Sequence, residues 1–158
     1  MGGLSAESSG AGSDWRAEAR AIRGRAPRHV LFLCVANSAR SQLAEGIARE
    51  LAPPGVKVSS AGSEPTGVRP EAVAVLEEIG IDISGHRSKG LADVERPVDV
   101  VVTLCAEEVC PVWLGDALRV HWGLPDPAAV RGAGEERLQA FREVRDELRL
   151  RLAVVFGA

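Results

Sequence analysis

At 158 residues, with 46% apolar side chains and a formal charge of −3, the chain is long enough for one hydrophobic core and too short for two domains of ordinary size. It contains no apolar run of the roughly 20 residues needed to cross a bilayer. Its weak acidity lacks the concentrated positive charge that nucleic-acid backbones demand, so no nucleic-acid partner is expected.

Residues 1–28 differ in kind from the rest. Gly2, Gly3, Ser8, Ser9, Gly10, Gly12 and Ser13 precede Arg16, Arg20, Arg23, Arg25 and Arg28, a composition that predicts a flexible tail with a short helix near 14–22. Five arginines against Glu7, Asp14 and Glu18 give this tail +2, leaving −5 for the expected folded domain, 29–158. The tail lacks the long apolar stretch of a secretory signal, and Ala6 stands where a myristoylation motif needs Ser or Thr, so a cytoplasmic location is expected.

His29-Val-Leu-Phe-Leu-Cys34 is almost continuously apolar and reads as a buried parallel strand, followed by a helix over 41–51. After Pro53-Pro54-Gly55 a second strand is expected over 56–60. A helix follows over 69–79, with Pro70 in its first turn and Gly80 just past its end. A short helix over 88–94 precedes a third strand, 98–104, and a fourth and shorter one, 117–122. The chain closes with a helix over 135–156, where Leu138, Phe141, Val144, Leu148, Leu152 and Val155 recur at helical spacing. This alternation predicts a single α/β domain: a four-stranded parallel sheet with helices on both faces, ligands binding at the carboxyl ends of the strands. Cys34 and Cys105 both stand at such ends.

Between the first strand and helix the chain reads Cys34-Val-Ala-Asn-Ser-Ala-Arg-Ser41. A helix N-terminus offers unpaired N–H groups and partial positive charge to an anion. Val35, Ala36, Asn37, Ser38 and Ala39 are small enough to let that backbone wrap one, and the planar guanidinium of Arg40 can grip two oxygens at once. The expected occupant is a tetrahedral oxyanion. The same surroundings favour the thiolate of Cys34, the form that attacks, and Ser41 is placed to donate to the sulfur, to cap the helix, or both.

Cys105 and Cys110 complete the thiols. Two closely spaced cysteines beside a nucleophilic one, without a secretory signal, read as redox or metal chemistry, although no histidine pair gives them a usual zinc spacing. If 106–109 were helical, the pair would be separated by about 7.5 Å of axial rise, and a disulfide would require that segment to unwind, with Pro111 limiting the helix. His29, His86 and His121 are expected at a strand edge, bracing a turn and at the end of strand four, none of them catalytic.

With these residues in place, the sequence resembles the low-molecular-weight protein tyrosine phosphatase superfamily and, within it, the thioredoxin-coupled arsenate reductases. The resemblance spans about 29–155 and rests on 32–46, Ser60-Ala-Gly62, 81–86, Val101-Val-Thr-Leu-Cys105, His121-Trp-Gly123 with Asp126-Pro127, and 141–148. It implies arsenate as substrate, with phosphate or sulfate competing, and no bound cofactor or metal. Cys34 is then the nucleophile, Arg40 and the loop amides the oxyanion site, and Asp126 the general acid. Cys105 and Cys110 carry a disulfide relay emptied by thioredoxin.

Two alternatives share part of this set. A tyrosine phosphatase of the superfamily would use Cys34, Arg40 and Asp126, but Ala128 and Ala129 stand where such enzymes carry aromatic residues, and the chain has no tyrosine. A non-enzymatic thiol or arsenic sensor would need the cysteines but neither Arg40 nor Asp126. The resemblance also implies that Lys89 occupies a position which is acidic in potassium-binding relatives, so its ammonium is expected to replace that cation beside Glu45, behind Asn37.

Overall fold

The structure, a computed structural model, describes residues 14–106 and 109–157. Its centre is the expected all-parallel sheet: β1 (His29–Cys34), β2 (Lys57–Gly62), β3 (Val100–Thr103) and β4 (Leu118–His121), in the order β2-β1-β3-β4. Because β1 lies inside, every one of its residues is buried, as its unbroken apolar run predicted. The order reverses direction at β1, and the crevice between the carboxyl ends of β1 and β3 is where such sheets bind ligands. Cys34 pairs with Gly62 on one side, and Leu33 with Thr103 on the other, so Cys34 and Cys105 leave neighbouring strands at the same edge.

Period-two alternation divides the strand side chains. Val30, Phe32, Val58, Val100, Val102 and Val120 join a core with α2 (Arg40–Leu51), α3 (Pro70–Glu77) and α4 (Gly134–Phe156), while Leu31, Leu33, Ala61 and Val101 face the other way. That second face is covered by Val94, Val98 and Trp113 beside a 3₁₀ turn at Leu91–Asp93, a thinner layer than the expected helix over 88–94. A further 3₁₀ turn, Pro127–Ala129, follows Asp126.

The largest departure is at the amino end. The short helix expected near 14–22 is present as α1 (Trp15–Arg25), but it packs along α4, so the expectation of a flexible tail reaching Arg28 is corrected for this stretch; residues 1–13 lie outside the described residues. Trp15, Ala19 and Ile22, spaced at i, i+4 and i+7, are buried in the main core, and burying an Ile side chain alone contributes about 1.5–3 kcal/mol.

Charged residues tie α3 to α4. Glu78 accepts from Arg142 Nη2 at 2.9 Å and from Arg145 Nη1 at 2.7 Å, which lowers its carboxyl from 4.5 to about 2. A depressed folded-state value stabilises the fold above the ordinary carboxylate range, and that contribution is lost as the pH falls from 4.5 toward about 2. Glu78→Gln is therefore expected to flatten the dependence of the urea midpoint on pH across that window, leaving the slope above pH 5 as it was.

Candidate active site

Cys34 is 2% exposed at the floor of the loop that joins β1 to α2. Its Sγ lies 2.8 Å from Ser41 Oγ. Ser41 Oγ already accepts a hydrogen bond from Asn37 Nδ2 at 2.8 Å, which leaves the hydroxyl proton available to the sulfur. The helix begins at Arg40 with Ala39 at its cap position, so Ser41 is not the N-cap: it sits inside the first turn, its hydroxyl turned to the sulfur.

Asn37 holds the loop from behind. Its φ of +49° lies in the left-handed region, where Asn is among the better-tolerated residues, and hydrogen bonds fix it there. Asn37 Nδ2 donates to Ser60 Oγ at 2.9 Å as well as to Ser41, and Asn37 Oδ1 accepts from the Lys89 amide at 2.9 Å and from Gln42 Nε2 at 3.1 Å. Its carbonyl oxygen accepts from Ser88 Oγ at 2.6 Å. Gln42 is oriented in turn by His86 Nδ1, 3.1 Å from Gln42 Oε1. Since that oxygen only accepts, Nδ1 carries the proton. Burial lowers His86 below the ordinary imidazole value, against the opposing pull of the Glu45 charge, so the neutral ring is the form at pH 7.

Glu45 is a carboxylate only 2% exposed, reached by Ser60 Oγ at 2.5 Å, Arg49 Nη2 at 2.7 Å and Lys89 Nζ at 3.7 Å. The expected placement of the Lys89 ammonium beside Glu45, with its own backbone on Asn37, is what the structure has. Among the described residues no group of three or more His, Cys, Asp or Glu is arranged to hold a metal ion.

Arg40, 4% exposed, projects to the opposite wall. Its Nη1 donates to Leu124 O at 2.9 Å and to Leu104 O at 3.3 Å, and Nη2 is 4.0 Å from Asp126 Oδ2. Asp126 is 41% exposed and accepts from the Ala128 amide at 3.0 Å, a turn that aims its second oxygen at the cavity. Cys34, Val35, Ala36, Ser38, Ala39, Arg40 and Asp126 line that cavity, about 210 Å³ in volume. The space suits a small oxyanion, and among the described residues none of its lining is aromatic. Of the expected loop residues, Asn37 is the one whose side chain turns away.

Cys105 is buried at the exit of β3 and Cys110 is half-buried; the two form a disulfide with Cα atoms 5.6 Å apart. Ala106 and Val109 are not helical, so the condition under which a disulfide would require unwinding does not hold, and the bridge closes a loop, residues 107–108 of which lie outside the described residues. Trp113 anchors the far end in the second core, with the Arg96 guanidinium 4.1 Å over its ring. His29 is a buried tie rather than a strand-edge residue, bonded through its two nitrogens to Pro97 O and Ser59 Oγ, while His121 closes β4 on Thr103.

Sequence reasoning missed the residue that lets β2 pass the loop. A Cβ on Gly62 would meet Val35 O at 2.3 Å, so only glycine fits, and the register Cys34↔Gly62 shows the reason. Gln42 and Ser88 were missed as well; each is an ordinary polar residue whose partner is remote in sequence.

A buried thiol at the floor of a strand-to-helix loop, faced by an arginine and an aspartate across a small cavity, is an arrangement able to hold a tetrahedral oxyanion, as phosphatase-type folds do. Residues 29–156 match the low molecular weight phosphotyrosine protein phosphatase family, and the chain belongs to it. It is 45% identical over 126 residues to an arsenate reductase of Halalkalibacterium halodurans, a span covering 78% of this chain and 91% of that relative. A solved arsenate reductase in the phosphate binding state superposes with a TM-score of 0.69 at 35% identity, over 82% of this chain and 97% of the other. The thioredoxin-dependent arsenate reductase of Corynebacterium glutamicum gives 0.60 at 29% identity, over 90% of this chain and 71% of the other.

Proposed function

We propose that this chain is an arsenate reductase working through three thiols. The observation that carries the reading is the Cys105–Cys110 disulfide one strand away from Cys34, which gives the site the two further sulfurs a reduction needs. Arsenate enters the loop against Arg40, and the Cys34 thiolate attacks arsenic while Asp126 protonates the departing oxygen, which leaves as water. The Cys105 thiolate then attacks Cys34 Sγ. The sulfur–arsenic bond breaks with its electron pair going to arsenic, which departs as arsenite, and a Cys34–Cys105 disulfide remains. Cys110 attacks Cys105 and releases Cys34. An external dithiol reduces the resulting Cys105–Cys110 bridge.

For that dithiol we propose thioredoxin, in the cytoplasm, where such proteins keep thiols reduced. Val109, Val112 and Leu114 are exposed around the half-buried Cys110 and offer apolar surface to a protein reductant, and the C. glutamicum relative is described as thioredoxin-dependent. Among the described residues no helix is long and apolar enough to cross a membrane. Arsenate-dependent NADPH consumption in the presence of thioredoxin and thioredoxin reductase tests the whole reading, with p-nitrophenyl phosphate hydrolysis run beside it. Arsenate turnover with feeble hydrolysis supports the reductase. Fast hydrolysis without arsenate turnover makes the chain a phosphatase.

Lys89 carries a further expectation for this assay. With its ammonium beside Glu45, turnover in potassium chloride should differ from that in sodium chloride at equal ionic strength by less than about twofold. A severalfold stimulation by potassium contradicts the substitution of lysine for a cation.

A further inference from the structure

Helix α1 lies outside the family match at 29–156, yet it reaches the strand end from which the general-acid loop departs. Glu18 of α1 accepts a hydrogen bond from Trp122 Nε1 at 3.0 Å. Trp122, 1% exposed, is the first residue past β4, and its backbone amide donates to Thr103 O at 2.8 Å. Two residues on, the Leu124 amide donates to Leu104 O at 3.1 Å and the Leu124 carbonyl accepts from Arg40. Asp126 follows after Pro125. The segment 122–126 is thus pinned on its inner side by β3 and Arg40, and its largest side chain, that of Trp122, is pinned on its outer side by α1. Arg151 of α4 completes this outer clamp: its guanidinium carbon lies 5.4 Å from the rings of both Trp15 and Trp122.

We propose that Glu18 is a positioning residue for the reaction: through the Trp122 indole it fixes the strand exit that sets where Asp126 points. The inference rests on the assignment of Asp126 as the acid. Glu18 touches neither the cavity nor the oxyanion loop, so its effect must pass through Trp122 to the loop carrying the carboxylate. Arg40 already holds Leu124 from inside, so loss of the outer clamp loosens the acid without emptying the oxyanion site. Displacement of a catalytic group by a fraction of its hydrogen-bonding distance lowers the rate while leaving substrate binding intact.

The test is single-turnover arsenite formation by the full-length enzyme in excess over arsenate, at a temperature where circular dichroism shows every variant folded. Glu18→Ala should lower the maximal rate by about fivefold to tenfold, with the concentration for half-maximal rate changed less than twofold. Trp122→Phe, which keeps a ring but removes the N–H donor, should do the same, and it carries the test if Glu18→Ala does not fold. Glu18→Gln keeps an accepting oxygen and should restore the wild-type rate. A purely structural role predicts equal losses in any background, whereas Glu18→Ala added to Asp126→Asn should cost nothing further. Additive losses in that pair, or a wild-type rate for Glu18→Ala while Asp126→Asn is impaired, overturn the brace alone. A wild-type rate for Asp126→Asn overturns the acid assignment and the brace with it.

Discussion

A Cys110→Ser enzyme is expected to make one arsenite per molecule and then stop. The first two steps need only Cys34 and Cys105, and the register that places both at one edge of neighbouring strands survives the substitution. The product of those steps is a Cys34–Cys105 disulfide between two cysteines that, in the structure with its Cys105–Cys110 bridge, are 2% and 1% exposed. A protein dithiol is expected to reach sulfurs so far inside much less readily than Cys110. Exchange with the more accessible Cys110 is the step that would move the oxidising equivalents outward, and a serine hydroxyl cannot perform it. Steady-state NADPH consumption should therefore fall to background, while a burst of arsenite equal to the enzyme concentration remains. Peptide mapping without reductant should recover the 34–105 bridge. Hydrolysis of p-nitrophenyl phosphate, which needs neither Cys105 nor Cys110, should be unchanged in the reduced variant. Sustained arsenate turnover by Cys110→Ser with thioredoxin would remove the relay from the mechanism.

The parts of this site that could be read from sequence are those whose partners lie close along the chain. Cys34, Arg40 and Ser41 span eight residues, and the apolar run before them places them at the end of a buried strand, so the loop and its chemistry followed from local order. The residues that shape the loop were hidden for the same reason inverted. Gly62 is required by a backbone oxygen at Val35, Ser88 reaches back to Asn37, and Gln42 is oriented by His86, contacts that exist only once the sheet has formed. At the amino end the short helix near 14–22 was legible, but the arginine- and glycine-rich composition hid its packing, which the stripe Trp15, Ala19 and Ile22 secures on α4. For the segment 105–110 the sequence leaves open whether it is helical, and the structure closes it as a loop with a covalent bridge, a choice that no local propensity signals. The sheet itself was legible because a β–α alternation leaves few other arrangements.

Arg40→Lys should be strongly damaging, although charge is conserved. The guanidinium donates from Nη1 to Leu124 O at 2.9 Å and brings Nη2 to 4.0 Å from Asp126, and in the proposed mechanism it must also present N–H groups to the oxyanion. A planar fork can meet them together, because its donors diverge in fixed directions. A lysine ammonium is one point of charge on a more flexible stem; satisfying Leu124 O withdraws it from the anion, and turning to the anion leaves that carbonyl without its donor. The loss should appear mainly in the transition state, where charge on the transferring group must be matched by donors already in place. The expected fall in kcat/KM for arsenate is about 10²–10³, near 2.7–4 kcal/mol. Phosphate should also weaken as a competitive inhibitor, since the oxyanion grip is shared. If Arg40→Lys keeps kcat/KM within a few fold of wild type, bidentate recognition is not what this loop uses, and the backbone amides at the start of α2 must supply nearly all of the stabilisation.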